Sequence, residues 1–359
     1  MVRTAAVFLA GLAAGLAFAA EEPASGFTLT RLADGVHAVI RREPVGMMFD
    51  ANNVFIENEA DVVVVDANAT ASSTRATIAA LRAITAKPVR YVVNTHWHLD
   101  HFEGNAAWRD AYPGVEFIGH AATREELAGI GARNRAGMLE FGPGMVQALR
   151  KRLAEGRDSA GNPLDAETRA ALASDAAQAE RYLAETKAVE FVPPTVEVRE
   201  RLTLRRAART IEILHLGAGH TRSDLVVWLP AERIAITGDL VVWPVPLIGN
   251  TAAPLEYAGT LERLLELQAT VFVPGHGPVL RDDSHVRLVA RLAAAIRDQV
   301  RAAVARGDSL EETRKRVDLE EFRRAFAGES KLRRSLFDMY VAQPAVEGAW
   351  RQAGGRKAD

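Results

Sequence analysis

Seven consecutive residues, Thr95-His96-Trp97-His98-Leu99-Asp100-His101, constrain this chain more than any other stretch. They bring three imidazoles and a carboxylate together, and both groups are ordinary ligands of divalent cations. A catalytic zinc usually takes three protein ligands and leaves a position for water, so this segment can begin two metal sites but cannot finish both. The missing ligands must come from elsewhere. Three Gly-rich turns offer them, each after an apolar run: Gly217-Ala218-Gly219-His220-Thr221, Thr237-Gly238-Asp239 and Pro274-Gly275-His276-Gly277. Glycine permits positive φ and close backbone approach, so His220, Asp239 and His276 can each be held at a strand end. The repeated arrangement predicts one site at one edge of a sheet system.

Hydrophobic patterning supplies the sheets. Phe27 to Ile40 reads as strands around an Asp34-Gly35 turn, and Asn53–Glu57 and Asp61–Asp66 read as a strand pair. Helical spacing follows over Ser72–Thr85, Pro88 ends it, and Val89–Val93 is a strand running into His96. Strand, helix and strand in that order require a layered α/β domain. Further strands are expected at 115–118, 195–198, 210–216, 225–229, 234–236 and 271–273, with a helix over Tyr257–Leu267. Asp66 is expected behind the histidine loop, as a partner that orients a ligand or as a turn cap.

Residues 121–188 change character, being rich in Ala, Arg, Glu and Leu, with helical stretches broken near Gly142-Pro143-Gly144 and Gly161-Asn162-Pro163. They read as a helical insertion packed over the sheet or beside the mouth of the site. From Val286 to Trp350 the chain again reads as helical, with a break near Gly307 and a capping box beginning at Ser309. Met47, Met48 and Phe49 form either an apolar flap or core packing, and Trp243 and Leu247 either wall a substrate pocket or fill the core. His37, His120, His215 and His285 carry no ligand motif and are read as structural.

With 48% hydrophobic and 25% charged residues, the composition is that of a soluble globular protein. The net charge of −2 gives no basic patch for nucleic acid. Residues 1–20 read as a cleaved signal peptide: Arg3 is the basic start, Ala5 to Phe18 is apolar, and Ala17-Phe18-Ala19 is a small-x-small cleavage site. A periplasmic or secreted protein without a stable membrane span in its mature chain is expected. It contains no cysteine, so neither disulfides nor thiolate ligands contribute.

The H-x-H-x-D-H segment and the G-H-T, T-G-D and P-G-H-G turns, in this order between Asn94 and Gly277, resemble the metallo-β-lactamase fold hydrolases. The resemblance implies an α/β fold, a four-layer αβ/βα sandwich spanning 27–285, with the insertion at about 121–188 and a helical C-terminal extension at 286–359. It places His96, His98 and His220 on a first metal and Asp100, His101 and His276 on a second. Asp239 matches the carboxylate that bridges both in glyoxalase II-like members. Without cysteine, the zinc β-lactamase subclasses that use a thiolate are excluded.

The implied chemistry is hydrolysis by two zinc ions per chain, iron or manganese being the other occupants such ligands accept. A bridging hydroxide would attack the carbonyl of a small β-lactam, lactone, ester or thioester, with Asp100 as the catalytic residue that orients it. Two alternatives use the same ligands: a mononuclear iron persulfide dioxygenase and a non-catalytic periplasmic metal-binding module.

Overall fold

The computed structural model describes residues 26–158, 161–207 and 209–355; the expected signal peptide lies outside the described residues. A seven-stranded sheet runs in chain order through β1 (Phe27–Ala33), β2 (Val36–Arg41), β3 (Asn53–Glu57), β4 (Val62–Val65), β5 (Val89–Val93), β6 (Glu116–His120) and β7 (Val196–Val198). Its first four strands are antiparallel, and β4 through β7 are parallel. A five-stranded sheet holds β8 (Arg201–Arg205), β9 (Thr210–Leu214), β10 (Val226–Leu229), β11 (Ile234–Val242) and β12 (Val271–His276), in spatial order β12-β11-β10-β9-β8.

The alternation of side chains along each strand builds the layers. In β4, Val63 and Val65 face the second sheet and pack with Ile211, Ile213, Val227 and Ile236. Val62 and Val64 face the other way, onto Ile78 and Leu81 of α1 (Ala71–Ile84). All four valines are fully buried, as expected of a strand covered on both faces. The one-turn α2 (Leu99–Phe102) follows β5, and α3 (Asn105–Ala111) adds Trp108 to the same outer layer.

The helical insertion consists of α4 (Thr123–Glu126), α5 (Ala132–Glu155) and α6 (Ala166–Glu185). On the outer face of the second sheet lie α7 (Pro254–Glu266) and α8 (Ser284–Ala305). The C-terminal helices α9 (Leu310–Arg316), α10 (Glu320–Ala327), α11 (Lys331–Phe337) and α12 (Gln343–Gln352) close around α8, where Phe337, Val346 and Trp350 join Leu292 and Ile296 in one core. The result is the α/β/β/α sandwich with a helical C-terminal extension. Among the described residues, no helix is long and apolar enough to cross a membrane.

Three local expectations are corrected. The expected break at Gly142-Pro143-Gly144 does not occur, because α5 runs through it. Pro143 lacks a backbone donor, but α5 takes its stability from packing on α6 rather than from propensity. Gly142 is what lets the helices approach, since a Cβ there would lie 2.9 Å from Cδ2 of Leu183. The second is β8, Arg-Leu-Thr-Leu-Arg, a strand outside the expected set that pairs along its length with β9. The third is β11, which does not end at Asp239 but continues to Val242 through a shift in register at Gly238. Such an irregularity re-aims a side chain out of the regular pleat.

Both sheets deliver their strand ends to the same edge. Asn52 ties them there, its backbone N–H donating to Gly275 O at 2.8 Å and its side chain to Pro274 O and Gly277 O at 2.9 and 2.8 Å. Leu225 N donates across to Thr95 O at 2.7 Å. The core behind this edge should be intolerant of truncation. Leu261→Ala, at a fully buried position on α7, is expected to cost about 2–5 kcal/mol, read as a lower urea midpoint.

Candidate metal centre

All seven residues singled out in the sequence meet at this edge, in two adjoining groups. His96, His98, His220 and Asp239 form one, and Asp100, His101 and His276 the other; within each group the potential ligand atoms lie within 4.8 Å of one another. The loop after β5 carries His96, the residue capping α2 is His98, and α2 itself carries Asp100 and His101. Asp239 comes from the irregular part of β11, His276 from the end of β12, and His220 from the turn after β9.

In the second group the atoms form a compact cage. Nε2 of His101 and Nε2 of His276 are 3.4 Å apart. Each is also close to two carboxylate oxygens: Oδ2 of Asp100, at 3.3 and 3.2 Å, and Oδ1 of Asp239, at 3.3 Å from both. Four ligands arranged tetrahedrally at about 2.0–2.1 Å from a zinc ion stand about 3.3–3.4 Å from each other, so the cage has the right size. The other oxygen of Asp239, Oδ2, faces the first group, 3.5 Å from His220 Nε2 and 4.0 Å from His96 Nε2. His98 completes that group through Nδ1, 2.8 Å from His220 Nε2.

The ring nitrogen that each histidine turns away from the centre has its own partner. His101 Nδ1 meets Asp66 Oδ2 at 2.8 Å, His220 Nδ1 meets Leu247 O at 2.7 Å, and His276 Nδ1 meets Asp50 O at 3.1 Å. His96 Nδ1 meets Thr95 Oγ1 and His98 Nε2 meets Thr251 Oγ1, both at 3.2 Å. A carbonyl oxygen only accepts, so in His220 and His276 the outer nitrogen carries a proton and the inner nitrogen is the one left to face a metal. Asp66 therefore takes the orienting place expected of it. It adopts φ +61°, and its carboxylate also accepts from Thr95 N at 2.7 Å and Thr95 Oγ1 at 2.9 Å.

Converging lone pairs and carboxylates in a buried place are costly unless a cation lies among them. His96 Nε2 and Asp239 Oδ1 are buried with no hydrogen-bond partner, so the residues present fit a bound metal. The electrostatics of the protein alone point the same way. Burial, then the neighbouring His101 and His98, hold His96 well below the usual imidazole range, and burial and His220 push His98 down to about 3. Burial opposes the charge on His276, but Asp239 and Asp100 outweigh it and hold the ring up at about 9. The same ion pairing overcomes burial at Asp100 and Asp239, which stay well below the usual carboxylate range. Protons thus collect on the second group, where the carboxylates concentrate negative charge.

A pocket of about 830 Å³ opens over the centre, with His98, Asp100, His220 and Asp239 at its floor. Met47, Met48, Phe49 and Leu247 line it, as the flap and pocket-wall readings expected, whereas Trp243 does not. Arg133 and Tyr182 from the insertion and Met339 and Tyr340 from the C-terminal region also line it. These four carry no sequence signal, because only the packing of remote helices brings them there. His37 lies in β2, the tilted rings of His120 and His215 pack on each other with centroids 4.2 Å apart, and His285 is half-buried and bonds Val242 O at 2.8 Å, so none of the four joins the centre.

Comparison with known proteins agrees with this geometry. The metallo-beta-lactamase superfamily profile matches residues 48–276, and the chain belongs to that superfamily of metal-dependent hydrolases. It is 23% identical over 284 residues to a linear primary-alkylsulfatase from a Pseudomonas strain. That match covers 74% of this chain and 49% of the relative, so the chain spans about half the length of the curated protein it matches. A metallo-beta-lactamase from Pontibacter korlensis superposes with a TM-score of 0.50 at 18% identity, over 75% of this chain and 99% of that one. FIM-1 from Pseudomonas aeruginosa, solved in a mono-zinc form, does so with 0.50 at 19% identity, over 75% and 95%. At such identities the superpositions establish the fold.

Asp66→Ala would free the His101 ring without touching the cages themselves. Divalent-cation affinity is expected to fall about 10–100-fold, measured by competition with a chromogenic chelator.

Proposed function

We propose that this chain is an exported dinuclear zinc hydrolase acting on the carbonyl of a β-lactam, lactone, ester or thioester. The observation that carries the reading is the division of Asp239, one oxygen facing each cage. His96, His98, His220 and Asp239 would hold the first ion, and Asp100, His101, His276 and Asp239 the second. When bound, such a pair supplies a water with a pKa of about 7 and a Lewis acid for the substrate carbonyl. Five imidazoles against two carboxylates suit zinc better than manganese. FIM-1, which shares the fold, is described with zinc.

The chain's own residues divide the remaining tasks. Asp100 is the only residue of the second group that lines the open pocket, and it orients the attacking water and accepts its proton. Thr251, Leu247 and Asp50 keep the histidines in the required tautomer. Met47, Met48 and Phe49 cover the centre with apolar surface and limit competing water. Export rests on the segment from Arg3 to Ala19. Sulfate-ester cleavage is a second reading, favoured by the identity to the alkylsulfatase.

Metal analysis and hydrolysis of a chromogenic cephalosporin, nitrophenyl acetate and a nitrophenyl sulfate test the proposal. Two zinc ions per chain are expected, with turnover of a carbonyl substrate that a chelator abolishes and zinc restores. Asp239→Asn should lower both the metal count and the rate, the rate by more than the ~10–100-fold typical of an outer partner. Two retained metals with unchanged activity would overturn the bridging role. Turnover of the sulfate alone would replace the carbonyl reading.

A further inference from the structure

A second cavity of about 440 Å³ lies directly behind the metal pocket. The two share three lining residues, Phe49, Leu247 and Tyr340, which stand as the partition between them. Beyond the partition the surface is largely apolar, formed by Val45, Trp243, Val245 and Leu336. Most charged groups on its wall are engaged elsewhere; one Glu43 oxygen, Oε2, is buried without a hydrogen-bond partner, and His276 belongs to the metal centre. Arg41 bonds Ala51 O and the side chains of Asn53 and Thr77, Asp50 accepts from Ala69 N and Ser73 Oγ, and Glu43 accepts from Gln178 at 3.0 Å.

We propose that this cavity receives a hydrocarbon chain of the substrate, with Phe49 as the swinging part of the partition. The inference rests on the hydrolase reading above and narrows its substrate class to long-chain acyl or alkyl compounds. Continuity with the metal pocket supports it: a substrate whose reacting group sits over Asp100 and Asp239 has the three shared residues between it and the cavity. A largely apolar space selects a chain by removing it from water and compensates a charged group poorly.

The clamp on the flap explains how the partition can move. Asp175 of α6 accepts from the backbone N–H of Met47 and of Met48, both at 2.8 Å, and Tyr340 Oη donates to Gly46 O at 3.3 Å. The backbone of residues 46–48 is therefore held from the insertion and from the C-terminal region together. Phe49 lies just past the clamp and is fixed by an edge contact on His276, ring centroids 4.3 Å apart. Rotation of its side chain joins the two cavities without releasing the backbone.

The test uses the zinc-loaded protein and nitrophenyl esters from acetyl to dodecanoyl. Each added methylene buried in the cavity is expected to raise kcat/KM about threefold to fourfold until the cavity is full. Val45→Trp, on the half-buried loop, fills the cavity and should flatten that gradient, with metal content reporting that the variant folds. Val245→Phe is the second filling variant and should do the same. Binding of the alkanoates from acetate to dodecanoate, by calorimetry, gives a readout independent of turnover. If no substrate of any class is hydrolysed but dodecanoate binds more tightly than acetate and both variants remove the difference, the hydrolase reading fails and the chain pocket stands. Binding and kcat/KM independent of chain length, or a gradient that both folded variants leave intact, would overturn the proposal.

Discussion

The rest of the structure depends on one electrostatic constraint: five imidazoles and two aspartates turn their ligand atoms toward one another in a mostly buried place. No packing of neutral side chains would produce this arrangement, since each inward lone pair repels its neighbours. The unpartnered His96 Nε2, and Asp239 Oδ1 set 3.3 Å from two imidazole nitrogens, are its clearest signs. The fold withstands it because every histidine is held from behind by a hydrogen-bonding group.

Those holding groups explain much of the chain between the ligands. Asp66 ends a fully buried strand in a positive-φ conformation and bonds both the loop backbone at Thr95 and the ring of His101. Gly238 has φ +50° and sits so close to Thr95 that a Cβ would lie 2.4 Å from its hydroxyl. A Cβ at Gly275 would lie 1.9 Å from Asp239 Oδ1. The glycine of the T-G-D turn thus serves contact between the sheets, and that of the P-G-H-G turn lets β12 approach Asp239 on the neighbouring β11.

The insertion and the C-terminal helices serve the pocket rather than the metal. Tyr182 and Thr186 bond Glu103 just past α2, a carboxyl that burial pushes up to about 7, and so tie the insertion to the ligand loop. Asp175 and Tyr340 hold the flap from opposite sides. The candidate metal ligands lie at the strand ends, in the short turns that follow them and on α2, while the parts that shape the substrate space are peripheral. One reaction chemistry can then be combined with different substrate spaces.

The sequence by itself determined the candidate ligand set, its order and the sandwich behind it. Ligand chemistry admits few residue types, the spacing of His96, His98, Asp100 and His101 is local, and period-two apolar runs announce buried strands. It could not determine α5 running through Pro143, β11 continuing past Asp239, or the pocket residues Arg133, Tyr182, Met339 and Tyr340. Those depend on contacts between segments far apart in the chain, such as Gly142 against Leu183 or Tyr340 against Gly46. A local pattern cannot encode them, because their free energy exists only once the helices have packed; the tertiary structure alone decided what surrounds the metals and what can reach them.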